Sequence, residues 1–421
     1  MDGVVFRRAA EAESEALFAL LCTAFEVTDE AGRQRLRRLA DEEWHDLVVL
    51  VEGTQPLAVA HVEPHRLRVG ACSVLKAEIG HVAVRPDRQR QGLGTRLLQE
   101  IVAWLPAERF QISRLGGWMP FYQRFGYEPF PRRYVTIPVP AREATLKGTP
   151  WRDLLAAPTG KQGEVRLYDP AHDFHPVHRL RLAAALRPGA LVLPTNPGLP
   201  PALGPDASKP VFVYLHDGSI QGYLRGGLAR LHAGDPDLHY CLDELAVTAW
   251  DPDAVGALVK TLMARAAEIA PTEIMARLPY DERLCEALTA AGIPFNLLEL
   301  RQAWDGNMMQ VVDLYGVLRA ITPELTRRLR EAGCCPWQGN LEIRLPRHSA
   351  VLRLAPDTVT ALQKGTPEAL LEMSHAAFIK ALFGIQGLAE CAPGLARLSG
   401  PQQVTAGILF PRLAAASGAW G

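Results

Sequence analysis

The stretch that decides the fold covers residues 78–127, with EIGHVAVRPDRQRQGLGTRLLQEIVAWL at 78–105 and GGWMPFYQRFGY at 116–127. Its strand-like start leads into a loop that contains Gln89, Gly92 and Gly94, and a helix with one apolar face follows at once. Glycines at such a turn let main-chain N–H groups converge on one point, and the helix N-terminus adds a partial positive charge. The turn therefore predicts a site for a phosphate or a diphosphate.

The side chains of the loop fit this interpretation, although the loop pattern alone is weak evidence. Thr95 lies in the first helical turn, where its hydroxyl can reach a phosphate oxygen, and Arg88 and Arg90 add positive charge at the mouth. A Q-x-x-G-x-G pattern more often makes only a tight turn. A P-loop has Lys-Ser/Thr after its second glycine, where this chain has Thr95-Arg96, so an NTPase is not expected. A dinucleotide fold needs G-x-G-x-x-G and an acidic residue about 20 positions later, which this stretch does not supply.

The composition excludes several other classes of protein. Of 421 residues, 48% are hydrophobic and 22% charged, which predicts about two to four domains with filled cores. The net charge of −1 argues against nucleic acid as the main partner, because phosphate-binding surfaces bring a basic excess. Seven scattered cysteines, an acidic start and no apolar run of about 20 residues indicate a cytoplasmic protein without a membrane span. The pair Cys334–Cys335 has no further ligand at metal spacing, so we predict no metal site.

The first segment alternates strands and helices. Apolar periodicity predicts helices over Ala12–Phe25 and Glu30–Glu43. Short apolar runs bounded by turn residues predict strands over Val4–Arg7, Asp46–Glu52, Leu57–Val62, Ala71–Leu75 and Ala77–Val84. This order is typical of an α/β domain with helices on a central sheet.

Two further segments follow a change of composition. Between residues 138 and 163 the pattern dissolves into Pro, Gly and small residues, which indicates a boundary. A Pro/Gly-rich stretch at 187–210 predicts a long loop. The middle segment then repeats the order of the first, with predicted strands Val211–Leu215, Ile220–Leu228 and Tyr240–Thr248 and helix Val255–Ile269. A third segment opens near Met308 and contains strand-like LEIRLP and HSAVLRL, then predicted helices Thr366–Glu372 and Ser374–Leu382.

The sequence on both sides of the loop resembles the GNAT acetyltransferase superfamily. The strand before it ends in V-A-V-R-P at residues 82–86, and F-Y-Q-R-F-G-Y lies downstream at residues 121–127. The resemblance implies acetyl-CoA as co-substrate, with its pantetheine arm on the strand and its pyrophosphate on the loop, and no metal. It implies cofactor contacts at Val82, Ala83, Val84, Arg90, Gln91, Gly92, Leu93, Gly94, Thr95, Gly117 and Trp118.

The whole chain resembles the enhanced intracellular survival (Eis) acetyltransferase family. Further markers are V-V-D-L-Y-G-V-L at residues 311–318 and I-L-F-P at residues 408–411. The resemblance implies an α/β (α+β) chain and a hexamer, with a catalytic GNAT domain at 1–140, a degenerate GNAT-like domain at 141–305 and a sterol-carrier-protein-like domain at 306–421. In the second domain, strand Leu242–Val247 is followed by AWDPDAVGALV without a glycine pair, so we expect no cofactor there.

Acetyl transfer needs a neutral amine and a proton for the leaving thiolate. An alkylammonium has a pKa of about 10.4, so freeing it at pH 7 costs about 4–5 kcal/mol. The resemblance gives the role of acid to Tyr122, while plain packing beside Phe121 is the alternative. The base stays open: the family uses the terminal carboxylate, here that of Gly421, and Glu78, His81 or a water chain are the other candidates.

The acceptor is less determined than the co-substrate. The family implies a primary amine, either on a small polycation such as an aminoglycoside or a polyamine, or on a lysine or peptide. The acidic residues are spread along the chain and mark no polycation pocket. A non-catalytic protein that binds acyl-CoA or a hydrophobic ligand on a degenerate scaffold is the alternative, and the intact loop with Tyr122 favours the enzyme.

Overall fold

The protein is an α+β chain with mixed β-sheets in this computed structural model, as the sequence predicts. The structure describes residues 3–139, 144–146, 148–150, 153, 163–184, 209–229, 239–269, 273–276, 282–300 and 305–413. The predicted loop at 187–210 and the end of the chain fall almost wholly outside these ranges. None of the helices in the described ranges is long and apolar enough to cross a membrane.

The strands and helices are numbered in chain order. The strands are β1 Val4–Arg8, β2 Leu47–Glu52, β3 Gln55–Val69, β4 Cys72–Val84, β5 Ile112–Trp118, β6 Glu128–Pro129, β7 Arg132–Pro138, β8 Thr145–Leu146, β9 Thr149–Pro150, β10 Glu164–Leu167, β11 Val211–His216, β12 Ser219–Ala229, β13 His239–Val247, β14 Glu273–Ala276, β15 Asn296–Leu300, β16 Asp305–Val311, β17 Gly339–Leu345, β18 His348–Leu354, β19 Val359–Leu362 and β20 Ala369–Glu372. The α-helices are α1 Ser14–Ala24, α2 Glu30–Glu42, α3 Leu93–Trp104, α4 Met119–Tyr122, α5 Pro170–Ala184, α6 Pro252–Ile269, α7 Glu282–Ala290, α8 Leu314–Glu331, α9 His375–Leu382, α10 Leu388–Cys391 and α11 Gly400–Leu409.

The first sheet has the order β1-β2-β3-β4-β5-β16-β6. Its neighbours are antiparallel except for the parallel pair β4 and β5. Both faces are covered, so the strands alternate between two apolar layers. In β2, for example, Val48 and Leu50 pack on the α3 side, while Val49 and Val51 pack on the α1 and α2 side. The sheet is closed by β16, which comes from nearly 200 residues further along the chain than β5.

The second sheet has the order β10-β11-β12-β13-β14-β7-β15 and repeats the same topology. Here β13 and β14 form the parallel pair, and β7 takes the place that β16 has in the first sheet. Apolar residues of α6 and α7, among them Leu258 and Leu288, pack with the sheet in one core.

The C-terminal part contains a four-stranded sheet of order β19-β18-β17-β20. Its long helix α8 begins at the N-cap Asp313, whose carboxylate accepts the N–H of Gly316 at 2.8 Å. Inside α8, the buried carboxylate of Glu324 accepts a hydrogen bond from Arg328 Nε at 2.8 Å. Arg328 also donates to the carbonyl of Leu409 at 2.7 Å and so fixes the start of the terminal segment against α8.

The contacts divide the chain into two compact units, one with Met1–Pro131 and Arg301–Arg412, the other with Arg132–Leu300 and Leu413–Gly421. The predicted division into three domains at 140/141 and 305/306 stays a prediction. The strands next to these boundaries join sheets built mainly from other segments: β7 joins the second sheet, and β16 joins the first.

Three predicted elements differ in the structure. Ala71–Leu75 and Ala77–Val84 form the single strand β4, because Lys76 between them is buried in regular strand pairing. The predicted strand Leu57–Val62 runs on to Val69. The predicted helix Thr366–Glu372 is wrong, since β20 pairs there in parallel with β17 and alternates buried and half-buried residues with the period of a strand.

Candidate active site

The predicted phosphate loop has its main-chain donors free. Arg90 and Gly92 have positive φ of 60° and 81°, and Gly92 is the N-cap of α3. Within the residues that the structure describes, the N–H groups of residues 90–95 donate to no protein acceptor. The first engaged N–H of the helix is that of Arg96, which donates to Gly92 O at 3.0 Å. These amides, at the positive end of a helix dipole, can bind a diphosphate.

The side chains of the loop fold back along it. Gln91 accepts from Arg88 Nε at 3.0 Å and donates to the carbonyl of Asp87 at 3.4 Å. Gln89 donates to Val84 O at 3.3 Å and so ties the loop to the end of β4. In these bonds neither glutamine side chain accepts from the main-chain N–H groups of residues 90–95.

Beside the loop, β4 and β5 separate. Their parallel pairing runs from Lys76 with Ile112 to Ile79 with Leu115 and ends there. From residue 80 onward the β4 edge that faced β5 has no partner strand in the described part of the chain, and β5 pairs instead with β16. A β-bulge lies at the same point, where His81 has φ of 49° and the register with β3 shifts. An open edge of this kind can pair with the amide groups of an extended ligand.

Tyr122 lies at the opening between these strands. A Cβ on Gly117 would be 3.1 Å from its ring carbon Cε2 and 3.8 Å from its hydroxyl oxygen, so the ring lies directly against the Gly117 main chain. Gly117 has φ of 134°, which a residue with a side chain rarely adopts. Phe121, which precedes Tyr122, stacks on Trp118 with ring centroids 6.3 Å apart. The Phe121 ring also meets the Tyr122 ring edge-on, with centroids 5.0 Å apart.

Gly94 brings the loop and the aromatic cluster together. A Cβ at this position would be 3.6 Å from Val84 Cγ2 and 3.7 Å from Phe121 Cζ. The strand end, the loop and α4 therefore meet at the first turn of α3, and the predicted cofactor residues of all three lie around one place.

Glu78 belongs to a polar cluster in which its charge is compensated. Its carboxylate accepts from Lys76 Nζ at 2.7 Å and from the guanidinium of Arg114, which also contacts Asn307 of β16. Burial lowers the pKa of Lys76, while the neighbouring Glu78 carboxylate opposes that shift. The carboxylate of Glu78 is therefore engaged by two cationic side chains.

His81, unlike Glu78, has an atom in the site without a hydrogen-bond partner among the described residues. Burial is the main cause that lowers its pKa to about 4, and the nearby imidazole of His61 adds to the effect. The two rings are 6.0 Å apart between centroids. Nδ1 of His81 is buried and has no hydrogen-bond partner in the described structure. The imidazole is therefore neutral at pH 7 and has a free nitrogen.

The predicted base Gly421 lies outside the described residues, so the structure places neither its carboxylate nor its surroundings. One feature of the site escaped the sequence. The cluster of Lys76, Arg114 and Asn307 around Glu78 was not predicted; a lysine inside an apolar strand was its one local signal. The arrangement as a whole suits a ligand in which a diphosphate is followed by an amide-bearing chain.

Comparison with known proteins agrees with this geometry. Residues 5–130 match the family model described as acetyltransferase (GNAT) domain. The sequence matches none of the curated proteins with which it was compared.

Solved structures match the whole chain at low sequence identity. A GCN5-related N-acetyltransferase from Kribbella flavida matches with 17% identity, 98% of this chain, 97% of that chain and a TM-score of 0.64. One from Anabaena variabilis matches with 13% identity, 98% of each chain and a TM-score of 0.64. Eis1 from Mycobacterium abscessus matches with 18% identity, 98% of each chain and a TM-score of 0.58. The predicted Eis-like architecture is thereby confirmed at the level of the fold.

Proposed function

Because residues 5–130 are an acetyltransferase domain of the GNAT family, we propose that this chain transfers the acetyl group of acetyl-CoA to a primary amine. The observation that carries the proposal is the run of unengaged main-chain N–H groups at residues 90–95 beside the open edge of β4. A diphosphate and an amide-bearing arm are the two parts of CoA that such neighbours would bind.

The chain's own groups would bind the co-substrate through main-chain atoms. The N–H groups of residues 90–95 would donate to the pyrophosphate, and Val82, Ala83 and Val84 would pair with the pantetheine amides along the free edge. Gly117 and Trp118 would line the arm from the β5 side, because the Gly117 main chain and the exposed Trp118 ring border the opening. Acetyl-CoA supplies the activated acyl group, and the protein supplies position and proton transfer.

In the reaction the neutral amine attacks the thioester carbonyl. The new C–N bond forms, the C–S bond breaks, and the departing sulfur takes a proton. Tyr122 is the proposed donor of that proton, since its hydroxyl lies beside the Gly117 main chain at the point where β4 and β5 separate. The ammonium formed on the acceptor nitrogen must lose a proton, which requires an acceptor or a water chain.

Of the two proton acceptors in the described part of the site, the contacts favour His81. Its buried Nδ1 has no partner and its imidazole is neutral, whereas the Glu78 carboxylate is held by Lys76 and Arg114. His81 is a weak base, so it would relay the proton to water rather than retain it.

The terminal carboxylate of Gly421 is tested separately. Adding a few residues after Gly421 moves the carboxylate away from the site, so kcat should fall about tenfold or more if this group takes the proton. A variant of Gly421 to Ala keeps the carboxylate in place and serves as the control. An extended chain with unchanged kcat would remove Gly421 from the mechanism.

The acceptor is proposed only as a class, namely a small polycation such as a polyamine or an aminoglycoside, or a lysine or peptide amine. Thiol release from acetyl-CoA, followed with polyamines, aminoglycosides, arylalkylamines and lysine peptides, tests the function directly. We expect release that depends on one of these amines. Tight binding of CoA with no release for any amine would favour the non-catalytic alternative. The hexamer implied by the family resemblance stays a prediction and is checked by light scattering.

A further inference from the structure

Two histidines lie side by side on the α1 and α2 side of the first sheet. His61 of β3 pairs with Leu47 of β2, which packs into the apolar layer on that side. On its other edge His61 pairs with Gly80, immediately before the bulge at His81. The ring centroids of His61 and His81 are 6.0 Å apart, a separation that one water molecule can bridge. The bulge in β4 therefore brings the proposed proton acceptor next to a second imidazole.

Each of the two rings has a buried nitrogen without a hydrogen-bond partner among the described residues. In His61, which is only 7% exposed, this atom is Nε2, and in His81 it is Nδ1. Buried polar atoms are nearly always hydrogen-bonded, so two unpartnered nitrogens in adjacent rings point to a role in the site. Burial lowers the pKa of both imidazoles, so both are neutral at pH 7 and each can accept a proton.

The carboxylate of Glu43 continues the line from His61 to the surface. Its Oε2 is 3.7 Å from His61 Nε2, which is beyond a direct hydrogen bond and within reach of a shared water molecule. The Glu43 side chain is 37% exposed, whereas that of His61 is 9% exposed. His81, His61 and Glu43 thus form a series that begins at the proposed site of acetyl transfer and ends in solvent.

The charges around the two rings differ in sign. Burial lowers the pKa of His61, and its charged or titratable neighbours besides His81 are Glu63 on its own strand, Glu43 at the end of α2, and Asp46 and His45 in the turn before β2. The three carboxylates among them oppose the effect of burial. No carboxylate of the described residues does so at His81, whose pKa is lowered by burial and further by His61 and by Arg35 of α2. A proton is therefore held less firmly at His81 than at His61, which favours its movement outward.

We propose that His61 and Glu43 transfer the proton of the acceptor ammonium from His81 to solvent. The inference rests on the proposed function, since it concerns the same acetyl transfer. After the C–N bond forms, an N–H bond of the acceptor breaks and its proton is taken up at one nitrogen of His81. A proton then passes to His61, to the Glu43 carboxylate and into water, and both rings return to the neutral form. Only N–H and O–H bonds change in these steps, and nothing is oxidised or reduced.

The test measures thiol release from acetyl-CoA by the full-length protein, with the amine that gives the fastest release. In H61Q a side chain of similar size stays in the buried position, but its amide does not transfer protons. We expect kcat to fall about tenfold, while KM for the amine and the Kd of CoA stay the same. The control is H65Q, because His65 lies on the same strand and face but pairs with Lys76, five residues before His81. H65Q should leave kcat unchanged.

The exit of the path is tested at the surface. E43Q removes the exposed proton acceptor, and kcat should fall about threefold, because water replaces the carboxylate only in part. The neighbouring Glu42 pairs with Arg38 at 3.2 Å, so E42Q removes the same charge from the same turn and should leave kcat unchanged. Because Glu43 is partly exposed, E43Q decides the outcome even if H61Q does not fold.

Two further measurements separate proton transfer from packing. In H61A, added imidazole should restore kcat in a saturable way, because a free base can occupy the space beside His81. In H61Q/H81Q, kcat should equal that of H81Q alone, because steps in series are lost together. Losses that multiply in the double variant would mean that the two histidines act independently and would contradict the path.

The outcomes distinguish this inference from the proposed function. Unchanged kcat in either H61Q or E43Q, beside an active unchanged protein, would overturn the path and leave the acetyltransferase function standing. Equal losses of kcat and CoA affinity in H61Q, without rescue of H61A by imidazole, would also overturn it, since His61 would then support only the fold. No thiol release by the unchanged protein with any amine would overturn both.

Discussion

The two mixed sheets share a topology but differ at the turn that follows the fourth strand in each. In the first sheet, β4 leads through Gly92 into α3, whose first turn contains no acidic residue and whose leading amides are free. In the second sheet, β13 leads through a short 3₁₀ turn with Ala249 and Trp250 at positive φ into α6. The same topology is thus connected by two chemically different turns.

The second turn, at residues 249–253, is unsuited to binding an anion, and its residue types explain why. Its helix begins at Pro252, which has no N–H to donate. The Asp251 carboxylate accepts from the N–H of Asp253 at 3.1 Å, and Asp253 adds a second negative charge in the first turn. Capping by acidic side chains stabilises a helix start and at the same time excludes a phosphate. The two turns therefore share a sheet topology but differ in their main-chain donors, and we predict a diphosphate site only at the first turn.

The largest effect is expected when the first turn receives an acidic N-cap like that of the second turn. In G92D the new N-cap carboxylate would accept from the amides of the first turn of α3 and would repel the pyrophosphate. Asp tolerates the left-handed conformation of Gly92 at modest cost, so the melting temperature should change little. We expect CoA to bind about 10³-fold more weakly, as measured by calorimetry.

The variant G92N is the control for G92D, because it caps the helix without adding charge. It should weaken CoA binding by an intermediate factor. Unchanged affinity in both variants would mean that the loop amides do not hold the pyrophosphate.

The second prediction distinguishes an effect on the rate of acetyl transfer from an effect on CoA binding, both at Tyr122. In Y122F the proposed acid is lost while the ring that packs against Gly117 and Phe121 is kept. We expect kcat to fall about 10²-fold or more and the Kd of CoA to stay unchanged. Equal losses of kcat and affinity would assign Tyr122 to packing.

The third prediction sharpens the role of His81 through pH. Burial keeps the pKa of His81 at about 4, so the imidazole stays neutral between pH 6 and 9 and would gain a proton only near pH 4. For an acceptor amine of high pKa, kcat/KM should therefore rise steadily with pH through this range, because only the amine loses a proton. A clear break near pH 6.5, the usual pKa of histidine, would contradict this account.

The smallest effect is expected from changing the second turn. In D251A/D253A the acidic cap is removed, but Pro252 and the geometry of residues 249–250 remain. The helix should lose about 1 kcal/mol of stability, and CoA should still bind with one site per chain. Two sites per chain in calorimetry would show that the acidic residues alone separate the two turns.

Much of the first region was predictable because its signals are local. Glycines at fixed positions, an apolar helix face and strand-length apolar runs lie within about 50 residues of one another, and each restricts the backbone next to it. The same local rule failed at Thr366–Glu372. There a short apolar stretch fits a helix or a strand equally well, and pairing with β17 decided for the strand.

The sequence by itself determined the acetyltransferase resemblance, the α+β class, the glycine-containing loop that we predict to bind a phosphate, and the chemical contrast between the two turns, since each depends on neighbouring residues. Only the tertiary structure brought β16 into the first sheet, placed Lys76 and Arg114 on Glu78, and set Arg347 at the carbonyl of Phe125. Such partners are far apart in the chain and leave no periodic pattern in it. They meet because buried strand edges and charges must find partners when the core closes.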